Sequence, residues 1–261
     1  AMISWLESFP TVAAGILVVG GIVLASLGFG YLVARFTPEE VRAAHNDRAG
    51  FILAVIGVIY AVLLAFIAIS VWERFVEAES RTFDEAGALA TVYRDVDAFP
   101  DRGRLRSALR AYVASVIDDE WPRMRLGEPT PVASSQLERV DRDIRGLPVN
   151  SLRLANIQAQ MLGAIDTALM DRRARLTMDA GGISEIMWVV LVAGAMVTIA
   201  FTYLFGFEQP IMQQLMIGGL SFLIGLVLFL VLALDYPFRG SIAVQPEAFK
   251  ALLEAFTAIG R

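Results

Sequence analysis

Residues 51–72 read FILAVIGVIYAVLLAFIAISVW, without one Asp, Glu, Lys, Arg or His. As a helix rising 1.5 Å per residue, such a run crosses the ~30 Å hydrocarbon core of a bilayer, for which ~20 apolar residues suffice. Three further runs have the same charge-free character: Val12 to Ala34, Ile186 to Phe205 and Ile211 to Leu234. A soluble core helix of this length would carry a polar face. The runs fall in two pairs around a charged stretch from Glu73 to Gly182. The fold class that follows is all-α: a polytopic membrane protein with four transmembrane helices in two hairpins and a cytosolic helical domain between helices 2 and 3. The boundaries are an N-terminal segment at 1–11, a first hairpin at 12–72, the helical domain at 73–182, a second hairpin at 183–234 and a C-terminal tail at 235–261. The first run follows Glu7, has no basic stretch before it and exceeds the core of a secretory signal, so it reads as a retained helix.

Composition removes several function classes. With 27 acidic against 22 basic residues the net charge is -5, and no basic excess exists to displace the counterions of a nucleic acid. Nucleic acid is therefore not an expected partner. No cysteine is present, which excludes thiolate catalysis and thiolate metal sites, and the single histidine, His45, excludes multi-histidine metal sites. No acid-base pair sits at membrane depth, so the chain reads as a non-enzyme with no cofactor and no metal. Asp118, Asp119 and Glu120 are consecutive and lack the alternating ligand pattern of a calcium loop. In the turn before the second span, Asn46 or Asp47 suits a helix cap.

Four crossings place the N-terminus, the central segment and the C-terminal tail on one side. Near the span ends that side carries seven basic residues (Arg74, Arg81, Arg172, Arg173, Arg175, Arg239, Lys250) against three opposite (Arg35, Arg42, Arg48). The excess of positive charge orients the chain with both termini in the cytoplasm of a bacterial inner membrane.

The central segment shows helical periods and no alternating strand pattern. No breaker lies between Trp72 and Pro100, so the second span runs on into water, with Phe75, Phe83, Leu89, Tyr93 and Val96 inward. A second helix carries Leu105, Leu109, Tyr112 and Val116 and ends at Trp121-Pro122; Ser135 and Glu138 have capping-box spacing for a short third one. A last long helix begins at Ser151 and runs to Gly181-Gly182, presenting Leu154, Ile157, Met161, Ile165 and Leu169. Eighteen acids and sixteen arginines between Glu73 and Gly182 nearly cancel, as on a solvated surface laced with intrahelical pairs. Arg172, Arg173 and Arg175, close to the third span, suit lipid headgroups or anions, or simple orientation charges.

On the second span Gly50, Ala54, Gly57, Ala61, Ala65 and Ala68 form a small-residue stripe suited to close helix packing, with Gly21, Ala25 and Gly28 as a mate on the first span. Gly218, Gly219 and Gly225 suggest close contact on the fourth. Charge-free spans hold no machinery for a proton pump, coupled carrier or voltage sensor, whereas a pore gated by dewetting needs only apolar rings.

The layout, together with His45-Asn-Asp-Arg-Ala-Gly50, Tyr60-Ala-Val-Leu-Leu-Ala-Phe66, Glu120-Trp-Pro122, Arg172-Arg-Ala-Arg-Leu176 and Asp235-Tyr-Pro-Phe-Arg-Gly240, resembles the bestrophin-like bacterial membrane proteins, over about Gly15 to Phe249. Bestrophins are oligomeric anion channels whose second helix lines the pore. The resemblance implies the same here, with Ile59, Leu63 and Ile67, or Tyr60 and Leu64 one residue round, as the narrow apolar neck. Pro237-Phe238-Arg239-Gly240 is similar to a bestrophin segment that precedes an acidic calcium clasp in animal members, but Ser241, Ile242, Ala243 and Val244 follow here and the clasp is absent.

The leading expectation is a homo-oligomeric chloride-type anion channel, with inorganic anions drawn to a cytosolic mouth by Arg74. The alternative is a membrane-anchored scaffold or sensor whose cytosolic domain binds a protein partner through an exposed patch around Tyr93, Tyr112 or Trp121. A third is a protein that binds or modifies membrane lipid through Arg172 to Arg175.

Overall fold

The computed structural model describes residues 11–38, 42, 46–100, 102–128, 132–207, 209–240 and 242–259. Among these the regular structure is entirely helical: α1 (Thr11–Phe36), α2 (Asn46–Asp95), α3 (Arg102–Ser115), α4 (Trp121–Leu126), α5 (Val132–Arg145), α6 (Leu152–Ala180), α7 (Glu185–Thr202), α8 (Pro210–Leu234) and α9 (Glu247–Ile259). A 3-10 turn, Val96–Ala98, follows α2, and a π-helical stretch, Val116–Glu120, joins α3 to α4. The helices α1, α2, α7 and α8 each contain a window long and apolar enough to cross a membrane. The chain divides into a membrane unit (Ala1–Glu73, Gly182–Asp235, Gly240–Ile242) and a bundle unit (Arg74–Gly181, Tyr236–Arg239, Ala243–Arg261).

In the membrane unit α1 packs along α8. Glycine permits it at three levels: a Cβ on Gly15 would lie 3.1 Å from the Phe229 ring, one on Gly225 3.3 Å from Val19, and one on Gly30 2.7 Å from Ile217. The turn between α7 and α8 is held by side chains from outside it. The Asn46 carboxamide donates to the Gly206 carbonyl at 2.9 Å and accepts the Gly206 N–H at 3.1 Å. Asn46 thus begins α2 and spends its side chain on this distant turn. His45 lies outside the described residues. At the other ends of these helices, Asp235 accepts the Ile183 N–H at 2.6 Å and the Trp188 indole N–H at 3.2 Å.

The bundle unit encloses a core that includes Leu89, Val92, Leu109, Val113, Leu137, Ile144, Met161 and Ile165. Trp121-Pro122 does not end the second helix as expected, since the chain stays helical from Arg102 to Leu126. The wider π turn just before Pro122 relieves the clash that a proline ring makes in a regular helix. The stop comes at Gly127, whose φ of 68° a side chain would strain and whose N–H bonds the Met124 carbonyl at 3.0 Å. Ser135 does not open the short helix as expected but lies within it, because α5 begins at Val132. The last long helix starts where expected, with Ser151 as its cap, accepting the Leu154 N–H at 3.3 Å.

The residues after Leu234 are not a loose tail. Phe249, Leu252 and Phe256, at three- and four-residue steps on α9, are buried in the bundle core. Phe256 stacks on Tyr93 with ring centroids 3.7 Å apart, and the Trp121 indole donates to the Val244 carbonyl at 3.1 Å.

Candidate functional site

Within the membrane unit, α2 buries one narrow edge: Tyr60, Leu64, Ile67 and Val71. The Tyr60 hydroxyl donates to the Leu191 carbonyl at 3.0 Å, and its ring fills the place where a side chain on Gly194 would stand. Each residue turns a helix by ~100°, so the row Val55, Ile59, Val62, Phe66 and Ile69 lies roughly opposite that edge. All five are exposed, Ile59 to 66% and Phe66 to 70%.

The five residues expected to line a neck therefore part company. Ile59 points away from the chain's own helices, Leu63 is half-buried, and Tyr60, Leu64 and Ile67 pack inward. Positions four apart drift by ~40° per step, and over eight residues the row Ile59, Leu63, Ile67 winds from the open face to the packed edge.

The small-residue stripe is also open. Ala54, Ala61 and Ala65 are exposed, Gly50, Gly57 and Ala68 half-buried, and a Cβ on Gly57, Gly21 or Gly28 would meet nothing within 4 Å. The expected pairing with Gly21, Ala25 and Gly28 does not form, because α1 is engaged with α8. On α8 a Cβ on Gly225 would crowd Val19 at 3.3 Å and one on Gly218 would reach Leu27 at an ordinary 3.6 Å, while one on Gly219 would meet nothing within 4 Å.

Charged residues of the bundle unit are placed less freely than their numbers suggest. Arg74 donates to the Gly181 carbonyl. Of the three arginines expected at headgroups or anions, only Arg173 is exposed. Arg172 and Arg175 are buried and face carboxylates. The Arg175 Nε donates to Glu85 at 2.9 Å and its Nη2 to Glu120 at 2.6 Å, while Arg172 Nη2 donates to the other oxygen of Glu120 at 2.5 Å. The Tyr112 hydroxyl donates to Glu85 at 2.7 Å, and the guanidinium of Arg175 lies 4.8 Å from the Trp121 ring centroid. Glu120 thus faces inward to arginines, and Asp119 pairs with Arg123 at 2.9 Å. Among the described residues no acidic cluster is arranged to hold a metal.

Burial shifts these groups. It pushes the Glu85 carboxyl up, against the pull of Arg175. It raises the Tyr112 phenol well above its usual range, helped by the Glu85 charge. For Arg175 burial opposes the charge, but Glu85 and Glu120 outweigh it and hold the guanidinium above its ordinary value. Two arginines and two carboxylates make the cluster neutral when all are ionised.

The patch expected to dock a protein partner is core: Tyr93, Tyr112 and Trp121 are no more than 2% exposed. Sequence reasoning missed Glu85 altogether, although it stands on the same row as Ala78, Thr82, Leu89, Val92 and Val96, all buried.

No curated protein matches the chain. Solved structures match its fold over nearly its full length. Two variants of a bacterial bestrophin homologue from Klebsiella pneumoniae align with TM-scores of 0.70 and 0.68 at 13% and 15% identity, each covering 92% of this chain and 99% and 98% of theirs. A third variant aligns at 0.66 and 14%, covering 91% of this chain and 98% of its own. Identity this low carries the fold alone, whereas the family model for the bestrophin-like domain matches residues 20–249, from within α1 to the start of α9. The chain belongs to the bestrophin-like family.

Proposed function

We propose that the protein is a homo-oligomeric anion channel, chloride being the simplest permeant, with α2 lining the pore. The observation that carries this reading is the open state of α2 in the single chain. Its buried large residues, Tyr60, Leu64, Ile67 and Val71, lie along one edge, while the row Val55, Ile59, Val62, Phe66 and Ile69 is exposed and the small stripe is open at Ala54, Ala61 and Ala65 and half-buried at Gly50, Gly57 and Ala68. A helix that faced only lipid would have no use for the small stripe. In a ring of subunits the stripe lets a neighbour's helix approach closely, and Val55, Ile59, Val62, Phe66 and Ile69 face the axis as a dewetting constriction. Family membership supports the same assignment.

In this reading Ile59 stays in the lining, and Tyr60, Leu64 and Ile67 brace it from behind. Arg74 contributes positive potential at the mouth, raising the local anion concentration. The protein sits in the bacterial inner membrane with both termini cytoplasmic, the orientation favoured by the basic residues near the span ends.

The test is the reversal potential of purified protein in a planar bilayer under asymmetric chloride. Reversal near the chloride potential, with conductance raised in Ile59→Ala/Val62→Ala, is the expected result. A current that reverses at the cation potential, or one that the double variant leaves unchanged, defeats the assignment of anion or lining respectively.

A further inference from the structure

A second site lies where α1 ends and α8 begins. A cavity of about 340 Å³ is lined there by Arg35, Thr37, Arg42, Pro210 and Gln213 among others. Arg42 is 8% exposed, yet no carboxylate among the described residues pairs with it or with Arg35. Its Nη1 donates to the Phe205 carbonyl at 3.1 Å, and its buried Nε has no hydrogen-bond partner. The Gln213 amide donates to the same carbonyl at 3.2 Å. Among the described residues this buried guanidinium meets one neutral carbonyl and leaves its Nε–H unpaired, an arrangement that a protein interior does not maintain without compensation.

Two further features add positive potential to the cavity. Arg35 adds a second guanidinium. Pro210 is the first residue of the 25-residue α8, whose N-terminal end carries the positive pole of its peptide dipoles. Guanidinium groups match the paired oxygens of a tetrahedral oxyanion better than a lone spherical halide, and the cavity has room for such a group.

We infer that the Arg35–Arg42 cavity binds a phosphate-type anion, supplied by a phospholipid headgroup or by free inorganic phosphate. The site is independent of conduction: it stands or falls whether or not α2 lines a pore. It also moves the lipid-contact expectation from the Arg172–Arg175 segment, where two of three arginines are buried in ion pairs, to a place where a charge has no counterpart among the described residues.

The experiment uses the full-length protein, delipidated in an uncharged maltoside detergent. One arm titrates inorganic phosphate against chloride at matched ionic strength. The other titrates short-chain phosphatidylglycerol against the uncharged diacylglycerol of equal chain length. Calorimetry gives the affinity and the thermal midpoint gives an independent shift. Saturable binding in either arm, weakened at least about tenfold in Arg42→Gln, is the expected result. Binding in the phosphate arm identifies a free anion, and binding in the lipid arm alone identifies a headgroup. Should Arg42→Gln fail to fold, the exposed Arg35→Gln decides, since its loss removes charge from the cavity without opening the interior. No saturable binding in either arm, or affinity unchanged in Arg35→Gln and Arg42→Gln, overturns the site.

Discussion

The guanidinium of Arg175 on α6 meets the carboxylate of Glu85 on α2 at 2.9 Å, with both side chains wholly buried. The pair is closed by Glu120 and Arg172, so each oxygen of Glu120 has an arginine of its own. Ion pairs at this depth add little net stability over an apolar replacement, because desolvation offsets the attraction, but removing one partner leaves a buried charge uncompensated. Arg175→Met is expected to destabilise the bundle unit by about 3–5 kcal/mol. Arg175→Lys should recover only part of it, since a single ammonium cannot reproduce the fork that reaches two carboxylates. Thermal unfolding in detergent measures both, and an Arg175→Met variant as stable as the wild type would refute the account.

Alkaline pH tests the same cluster from Tyr112. Its phenol is held well above the usual range by burial and by Glu85. The folded state therefore keeps this proton at a pH where the unfolded chain has released it. The stabilising contribution is complete below about pH 10, the ordinary tyrosine value, and is lost as pH rises through the folded value. A spectrophotometric titration should show Tyr112 absent from the phenolate signal that appears near pH 10, and Tyr112→Phe should flatten the alkaline decline in stability. Full ionisation of every tyrosine near pH 10 in the folded protein contradicts the burial argument.

The all-helical fold and the four candidate spans were legible because they rest on length and absence of charge, which tertiary context cannot override. The buried cluster was not, although its register was written in the chain. On α6 the row Met161, Ile165, Ala168, Arg172, Arg175, Asp179 keeps four- and three-residue steps through three charged residues, and every member is buried. Charge reads as a mark of the surface, so an apolar row taken from the sequence stops where the arginines begin. The neck residues pose a different problem. Spacing along α2 fixes which residues share a face but not which face is covered, and that is decided by Tyr60 reaching Leu191, a contact 131 residues away in sequence.

Glycines separate packing within the chain from packing between copies. A methyl group on Gly194 would overlap the Tyr60 ring, whereas one on Gly57 meets no atom of its own chain. Gly194→Ala should destabilise the membrane unit by about 1–3 kcal/mol through overpacking. Gly57→Ala should leave thermal stability of the dissociated protein unchanged and, if the small stripe meets a neighbouring subunit, weaken the oligomer. Size-exclusion light scattering paired with thermal melts reads both effects; equal losses from the two substitutions would mean that α2 packs differently.

The C-terminal helix offers the last prediction. Phe256 is 1% exposed and its ring lies parallel to Tyr93 at 3.7 Å, while the Tyr93 hydroxyl donates to the Phe256 carbonyl at 2.9 Å. The Arg110 guanidinium donates to both the Tyr93 hydroxyl and the Phe256 carbonyl. One residue thus joins α9 to α2 and α3 by ring, by backbone and by charge. Phe256→Ala leaves a cavity beside Tyr93 and should cost about 3–5 kcal/mol, while Glu254→Ala, on the exposed side of the same helix, should fall within about 0.5 kcal/mol of wild type. Because α9 is held chiefly through this face, the cost should appear first as local opening: amide exchange in residues 247–259 should accelerate in Phe256→Ala before the rest of the bundle unit loses protection. If exchange there were already as fast in the wild-type protein as in an unfolded peptide, the segment would be a tail after all.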